Sequence, residues 1–320
     1  MGQKNSRGFV EMKNLNRCPI CNSKKIKWRY QNWGKNLKIS KKKFNLFKCL
    51  RCKVIFINPS PKEKELVSFY PKKDYYSLGK IDRGRKANFK VKLSKIYFGN
   101  GNFFEKILFS PFVFLVRGTK VKRGMKILDV GSGSGQFLYE VKKLGLETYG
   151  LEPGNFNKSE AKKDNLKIER NSLEKTKYKK NSFDIITLNH VLEHLNRPYE
   201  ALSRVKGLLR EDGILIIGIP NSRSLAHFIF GKNWYQLDTP RHLFNYSPKN
   251  IKYLLERVGL KVIKKRFNSR PSQFVVSLRY LIGFQSKKIE KILELIFLPL
   301  TWVVNVLKVG DQIEVWCGNK

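Results

Sequence analysis

The run Lys126-Ile-Leu-Asp-Val130, followed by Gly131-Ser132-Gly133-Ser134-Gly135, constrains this chain more than any other stretch. The short apolar segment reads as a buried parallel strand, and the glycines that end it open into an amphipathic helix ending near Gly145. Glycine at three alternate positions lets the backbone come close to a ligand, because no Cβ intervenes. A dinucleotide fingerprint, G-x-G-x-x-G, needs its third glycine at 136, which is Gln136. Here the third is Gly135, giving G-x-G-x-G with Asp129 two residues ahead. The next strand, Glu147–Leu151, is followed by Glu152, at the distance where a nucleotide-binding unit places its ribose ligand. Such a carboxylate can accept from both ribose hydroxyls. The plainer alternatives are a tight strand–helix turn and a solvated loop carboxylate.

The G-x-G-x-G pattern resembles motif I of the class I S-adenosylmethionine (SAM)-dependent methyltransferases. The resemblance implies an α/β fold, a seven-stranded Rossmann-like sheet with helices on both faces, and SAM as cofactor. It gives Asp129, Gly131, Gly133 and Gly135 to the amino-acid end of SAM and Glu152 to the ribose. Ser172 and Leu173, after the strand 166–170, correspond to adenine contacts, although Asn171 stands where the family has Asp. Strand 182–189 and the residues after it are similar to the family block FDxIxxxxVLEHL, whose strand end borders the methyl-transfer pocket; that gives a role to Asn189 and His190.

His190-x-x-Glu193-His194 also has the form of an H-x-x-E-H metalloprotease motif, but it follows the carboxyl end of a parallel strand, which does not suit one. Some SAM methyltransferases hold a divalent cation through E-x-x-E-H and a distant histidine. The corresponding residues here are His190, Glu193, His194 and His242, with His in place of the first Glu. Plain hydrogen bonding and helix-start packing remain open for the same cluster.

After a helix over 199–210, the run Ile214–Asn221 reads as a strand buried on both faces. Residues 222–246 then form a long loop expected to lie over the crevice as a substrate lid. They contain Asp238-Thr-Pro-Arg241-His242-Leu, a block that recurs in the resembling enzymes. Arg241 could hold a phosphate or carboxylate bidentately, or pair with Asp238 and shape the lid. His242 has the chemistry of a general base near neutrality, with His190 as second choice. A helix over 248–258 and a strand over 260–267 precede an apolar insertion, 268–309. Its run Ile292–Leu307, flanked by Lys287, Lys288, Lys291 and Lys308, holds Glu294 and Pro299 and is too short to span a bilayer. A buried or dimer-forming helix pair and a monotopic membrane contact are both expected readings. The last strand, 311–318, is expected antiparallel, as in the resembling fold.

The amino-terminal part is organised differently. Cys18-Pro-Ile-Cys21 and Cys49-Leu-Arg-Cys52 are two C-x-x-C knuckles with 27 residues between them. Two such pairs suit a tetrahedral Cys₄ structural zinc site with no open coordination position. Disulfides and redox chemistry are the alternatives, and Cys317 is left over. The ribbon and its extension occupy 1–79, a helical linker 80–124, and the catalytic unit 125–320. With its aromatics, Phe56-Ile-Asn58-Pro59 and Tyr75-Tyr76, the ribbon resembles the one ahead of bacterial methyltransferases of sugar and surface-polysaccharide biosynthesis. That resemblance implies a small-molecule or lipid-linked glycan acceptor.

Charge leaves the partner open. The 65 basic and 25 acidic residues give +40, and residues 1–124 hold +26 of it. Such a field attracts nucleic acid, anionic membrane or phosphorylated substrates. An RNA-modifying or RNA-binding zinc-ribbon protein is therefore the competing class. The amino terminus lacks the apolar core of a signal peptide, and Gly2 and Ser6 match only a loose myristoylation pattern. The expected location is cytoplasmic, and a peripheral contact at the inner membrane face is the second expectation.

Overall fold

The computed structural model describes residues 15–36, 40–70, 79–96, 103–105 and 121–319. Gly2, Ser6, Tyr75, Tyr76 and residues 97–102 and 106–120 of the linker lie outside the described residues.

Two sheets organise the chain. The first holds β1 (Ile26–Gly34), β2 (Ser40–Cys49) and β3 (Ile55–Ile57), followed by the short helix α1 (Glu63–Ser68) and then α2 (Arg85–Lys95). The second begins with β4 (Lys126–Val130) and α3 (Gln136–Lys142), β5 (Glu147–Leu151) and α4 (Lys158–Lys163), and β6 (Lys167–Glu169). It continues with β7 (Phe183–Asn189), α5 (Pro198–Leu208) and β8 (Leu209–Pro220). Next come α6 (Leu225–Phe230), β9 (Phe244–Asn245), α7 (Pro248–Arg257), β10 (Leu260–Phe267), α8 (Ser272–Ile282), α9 (Lys287–Val306) and β11 (Gln312–Asn319).

The second sheet has seven strands in the order β10-β11-β8-β7-β4-β5-β6, confirming the expected Rossmann-like architecture. β4 to β8 are parallel, and β11 runs antiparallel between β8 and β10. The central strands carry continuous apolar runs because both of their faces are covered. Ile127, Leu128, Ile185, Ile186 and Ile217 have no accessible surface. β8 starts at Leu209 rather than after Gly213, and its register against β7 shifts between Phe183 and Ile185.

The ribbon does not stand apart from this unit. β1 and β2 form a bulged antiparallel hairpin, β3 adds to β2, and β9 from the catalytic unit completes the sheet. Ile55 pairs with Asn245 and Phe56 with Phe244. One apolar core accordingly contains Leu46 and Phe56 of the ribbon with Leu243, Phe244 and Tyr246. So small a unit cannot bury its own core, and it borrows one.

The same contact changes the reading of residues 222–246. They are not a loop laid over the surface: Trp234, Arg241 and Tyr246 are among the largest fully buried side chains of the molecule. The ribbon sheet covers the end of this segment through β9, while Phe228 and Ile229 on α6 stay exposed. The insertion 268–309 forms the expected helix pair, but α9 is one continuous helix with Pro299 inside it. Phe274 of α8 stacks on Phe297 of α9, and Asn305 bonds the Ser269 backbone in both directions. No helix among the described residues is long and apolar enough to cross a membrane.

Candidate active site

The strand order places β4 between β5 and β7. The chain builds outward through β5 and β6, then jumps to β7 and β8 on the other side, so the crevice beyond the carboxyl ends of β4 and β7 is the topological switch point. The glycine loop lies there. Gly131 has φ +71°, and a Cβ on it would sit 2.6 Å from Val191 Cγ2. Gly135, the N-cap of α3 at φ +89°, would put a Cβ 2.7 Å from Ile168 Cδ1. Both positions require glycine by conformation and by space. The loop after β7 therefore touches the loop after β4.

Gly133 N–H donates to Glu152 Oε2 at 2.9 Å, and Gly154 N–H to Glu152 Oε1 at 2.7 Å. Each oxygen keeps a second lone pair, so the carboxylate is held in place while able to accept two more bonds. Asp129 is 1% exposed and accepts from the Thr187 hydroxyl across β4 and β7. Its carboxylate is thus built into the sheet beneath the loop. Ser172 donates its N–H to Asn171 Oδ1, closing a local turn, and the Leu173 side chain is buried in the core. Asn189 leans on the β8 backbone at Gly218, where any side chain would collide with it.

Beside this edge lies a histidine cluster drawn from separate segments. His190 has left-handed backbone, φ +55°, and its N–H donates to Gly218 C=O. The side-chain amide of Gln312 meets His190 Nε2 at 2.9 Å. An amide nitrogen only donates, so Nε2 accepts and Nδ1 carries the proton, which it donates to Glu193 Oε1 at 3.1 Å. Burial alone would push Glu193 up, but the bond from His190 and the three nearby imidazoles overcome it and hold the carboxyl at about 2. Glu193 Oε2 and Tyr246 Oη have no hydrogen-bond partner among the described residues.

His242 is 4% exposed and donates from Nδ1 to Gln236 C=O at 2.8 Å. Its Nε2 lies 3.6 Å from Asp238 Oδ2 and 3.9 Å from Glu193 Oε1. His194 bonds Arg241 C=O through Nδ1, and burial, then the His242 charge, lower it to about 4. Its ring meets that of His242 edge-on, 4.7 Å between centroids. Ligand atoms of Glu193, His194 and His242 lie within 4.8 Å of one another, a carboxylate and two imidazoles that could hold a divalent ion. His190 stands outside that trio. Arg241 is 1% exposed and pairs with Asp238 at 2.5 Å, so of its two expected roles the geometry fits shaping this segment.

Gln312 was invisible to motif reasoning. It opens an antiparallel strand more than 120 residues from His190, and only the register Gln312↔Pro220 brings it to the carboxyl end of β8.

Two further features belong to the ribbon and its edge. Cys18 and Cys52 Sγ lie 3.6 Å apart, Cys21 and Cys49 Sγ 3.5 Å apart, and all four are buried and free. A tetrahedral zinc with bonds of about 2.3 Å sets its sulfurs about 3.8 Å apart, so the cluster fits a Cys₄ ion. Within the group, the bond from Cys18 pulls Cys52 down to about 5, which favours a thiolate. Where the ribbon meets α6, a cavity of about 620 Å³ is lined by Arg29, Lys48, Lys53 and Arg223, with no acidic residue in its wall among the described residues. Burial, then the charges of Arg29, Lys53 and Arg223, lower the Lys48 pKa. His227 stands in the same wall, held at about 4 mainly by burial, donating to Ser222 C=O and lying 3.2 Å from the Tyr30 hydroxyl.

Residues 108–265 match the family described as a methyltransferase domain. The chain is 28% identical over 153 residues to the ubiquinone biosynthesis O-methyltransferase of Rhodopseudomonas palustris (strain TIE-1), covering 44% of this chain and 60% of the relative. It is 27% identical over 170 residues to the enzyme of that name from Dinoroseobacter shibae, covering 48% and 68%. The match thus spans about 60% of the length of the first of these relatives. Among solved structures, a SAM-dependent methyltransferase from Archaeoglobus fulgidus aligns with a TM-score of 0.43 at 20% identity, over 72% of this chain and 99% of that one.

Proposed function

We infer that this chain, which carries a SAM-dependent methyltransferase domain, methylates an oxygen of a small-molecule or glycan acceptor, a sugar or lipid-linked saccharide hydroxyl of cell-surface polysaccharide synthesis. The observation that carries an oxygen acceptor is the His190–Glu193 pair at the carboxyl end of β7, one residue from the contact with the glycine loop. Both relatives are named O-methyltransferases, which supports the same choice.

The residues fit the cofactor. The glycine loop offers backbone to its amino-acid end, Glu152 has acceptor capacity for ribose hydroxyls, and the turn at Asn171–Leu173 borders the adenine side. When bound, SAM supplies a methyl group activated by its sulfonium. The protein's task is then alignment and proton removal. Glu193, ionised and buried, fixes the His190 ring and its tautomer by accepting from Nδ1. An acceptor hydroxyl replacing the Gln312 amide at Nε2 would give its proton to that nitrogen. His242, sealed from solvent and bonded to Gln236, supports Glu193 from behind. The basic cavity beside α6 suits phosphoryl groups on such an acceptor. Zinc, held by Cys18, Cys21, Cys49 and Cys52, would stabilise the ribbon and take no part in the chemistry.

The test has two arms. Calorimetry with S-adenosylhomocysteine should show one site per chain. Methyl-labelled SAM should then label a glycan or sugar-phosphate fraction of a cell extract, with the label stable to mild base, as an ether is. Label appearing in RNA, or on nitrogen or carbon, overturns the acceptor reading while leaving cofactor binding intact.

A further inference from the structure

We propose that the insertion helix α9 docks on the surface of an anionic lipid bilayer, lying along it rather than crossing it. Only one narrow stripe of α9 faces protein. Glu290, Leu293, Phe297, Thr301 and Val304, spaced three and four apart, are buried or half-buried. Between Ile292 and Leu307 every exposed side chain except Glu294 is apolar. Leu295 is 73% exposed, Ile296 62%, Trp302 51% and Leu307 65%. The end of α8 adds Leu281 at 55% and Ile282 at 65%.

At about 100° per residue, these positions cover the helix surface all round except that stripe. A second copy of the chain would bury one further stripe by helix packing and leave the rest in water. A bilayer interface covers the whole outward arc at once. Charge points the same way. Lys287, Lys288 and Lys291 at one end of the helix and Lys308 just past the other flank the apolar stretch, where they meet acidic headgroups. An exposed tryptophan near one end suits the headgroup boundary. This inference stands apart from the reaction assigned above and uses no residue of that site.

The experiment is co-sedimentation of the full chain with vesicles of phosphatidylcholine alone and of phosphatidylcholine with phosphatidylglycerol, with sedimentation velocity on the protein without lipid. Binding should favour the anionic vesicles, weaken several-fold with added salt, and fall about tenfold or more in the L295E/I296E double variant. Both changes lie on exposed surface, so folding should survive, which circular dichroism checks. Brominated lipid should quench a fluorescence component that Trp302→Phe removes. Vesicle binding untouched by the double variant overturns the proposal. So does self-association without vesicle binding that the same variant abolishes, which would assign the face to a second copy, and so does an absence of both.

Discussion

The two halves of the candidate site are made in opposite ways. The proposed cofactor edge is mostly backbone: one loop, Gly131 to Gly135, with a single side chain, the Glu152 carboxylate, clasped by the N–H groups of Gly133 and Gly154. The proposed acceptor side is made of side chains from three distant segments. His190 and Glu193 come from the end of β7, His242 from the segment before β9 and Gln312 from β11, and the ribbon braces the His242 segment by pairing β3 with β9. A backbone-built site is local and should fail only when its own loop is altered. A site assembled from side chains depends on everything that brings its segments together.

The largest effect expected from that contrast is at the ribbon. Cys49→Ser removes one ligand from a buried four-sulfur cluster. Structural zinc contributes on the order of 10 kcal/mol to folding in small zinc peptides, so the ribbon should lose its order. Metal analysis should show zinc falling from one per chain to near zero, with a lower Tm. SAM affinity should stay within about threefold, because the glycine loop lies elsewhere. A large loss of SAM binding would show that the two halves are not separable.

Gly131→Val is the converse experiment. A β-branched residue at φ +71° is strained, and its side chain must displace Val191. SAM affinity measured by calorimetry should fall about 100-fold, near 2.7 kcal/mol, with zinc content unchanged. Loss of zinc together with SAM would mean that the substitution had unfolded the chain rather than closed the loop.

This contrast also explains what the sequence disclosed. The sheet and its glycine loop were legible because a buried parallel strand must be apolar throughout and a close turn must be glycine, and both constraints act within ten residues. The Cys₄ cluster was legible for the same reason, each pair sitting in one tight turn. The role of residues 222–246 was not: Trp234, Phe244 and Tyr246 say that the segment is buried, but not that a ribbon 190 residues earlier covers it. Gln312 carries no local mark, since its place comes from the register of β11 on β8. Arg241 and His242 read equally well as ligand contacts or as lid structure. Their burial and their bonds to Asp238 and Gln236 became visible only in three dimensions.

A smaller effect should follow from changing the orienting carboxylate. Glu193→Gln keeps the volume but cannot serve as a charged acceptor for His190 Nδ1. General-base catalysis contributes at least about 100-fold, so kcat should fall by that order with SAM affinity and zinc content retained. A greater loss in His242→Gln, with E193Q near wild type, would move the base from His190 to His242.

The smallest effect is in acid, and it should again divide the two halves. Burial lowers His227 to about 4 from its ordinary 6.5, at the wall between ribbon and α6. The unfolded chain therefore binds a proton there that the folded chain refuses. Stability from this group is complete above about pH 6.5 and is lost as pH falls toward 4, by about 2 kcal/mol at pH 5 and by ~3 kcal/mol at the limit. His194, lowered to about 4 in the histidine cluster, acts in the same direction and window. Glu193, held at about 2 against 4.5, adds a loss only below about pH 4.5. His194 and Glu193 belong to the proposed acceptor side, and His227 to the wall between ribbon and α6. Hydrogen exchange at pH 5 against pH 7.5, corrected for intrinsic rates, should show β1–β3 and β9 losing protection before β4 and β5, and His227→Phe should reduce that difference. Equal loss in both halves would mean that the ribbon, residues 222–246 and the parallel sheet open as one cooperative unit, and the division between a local cofactor edge and an assembled acceptor side would then hold for binding but not for stability.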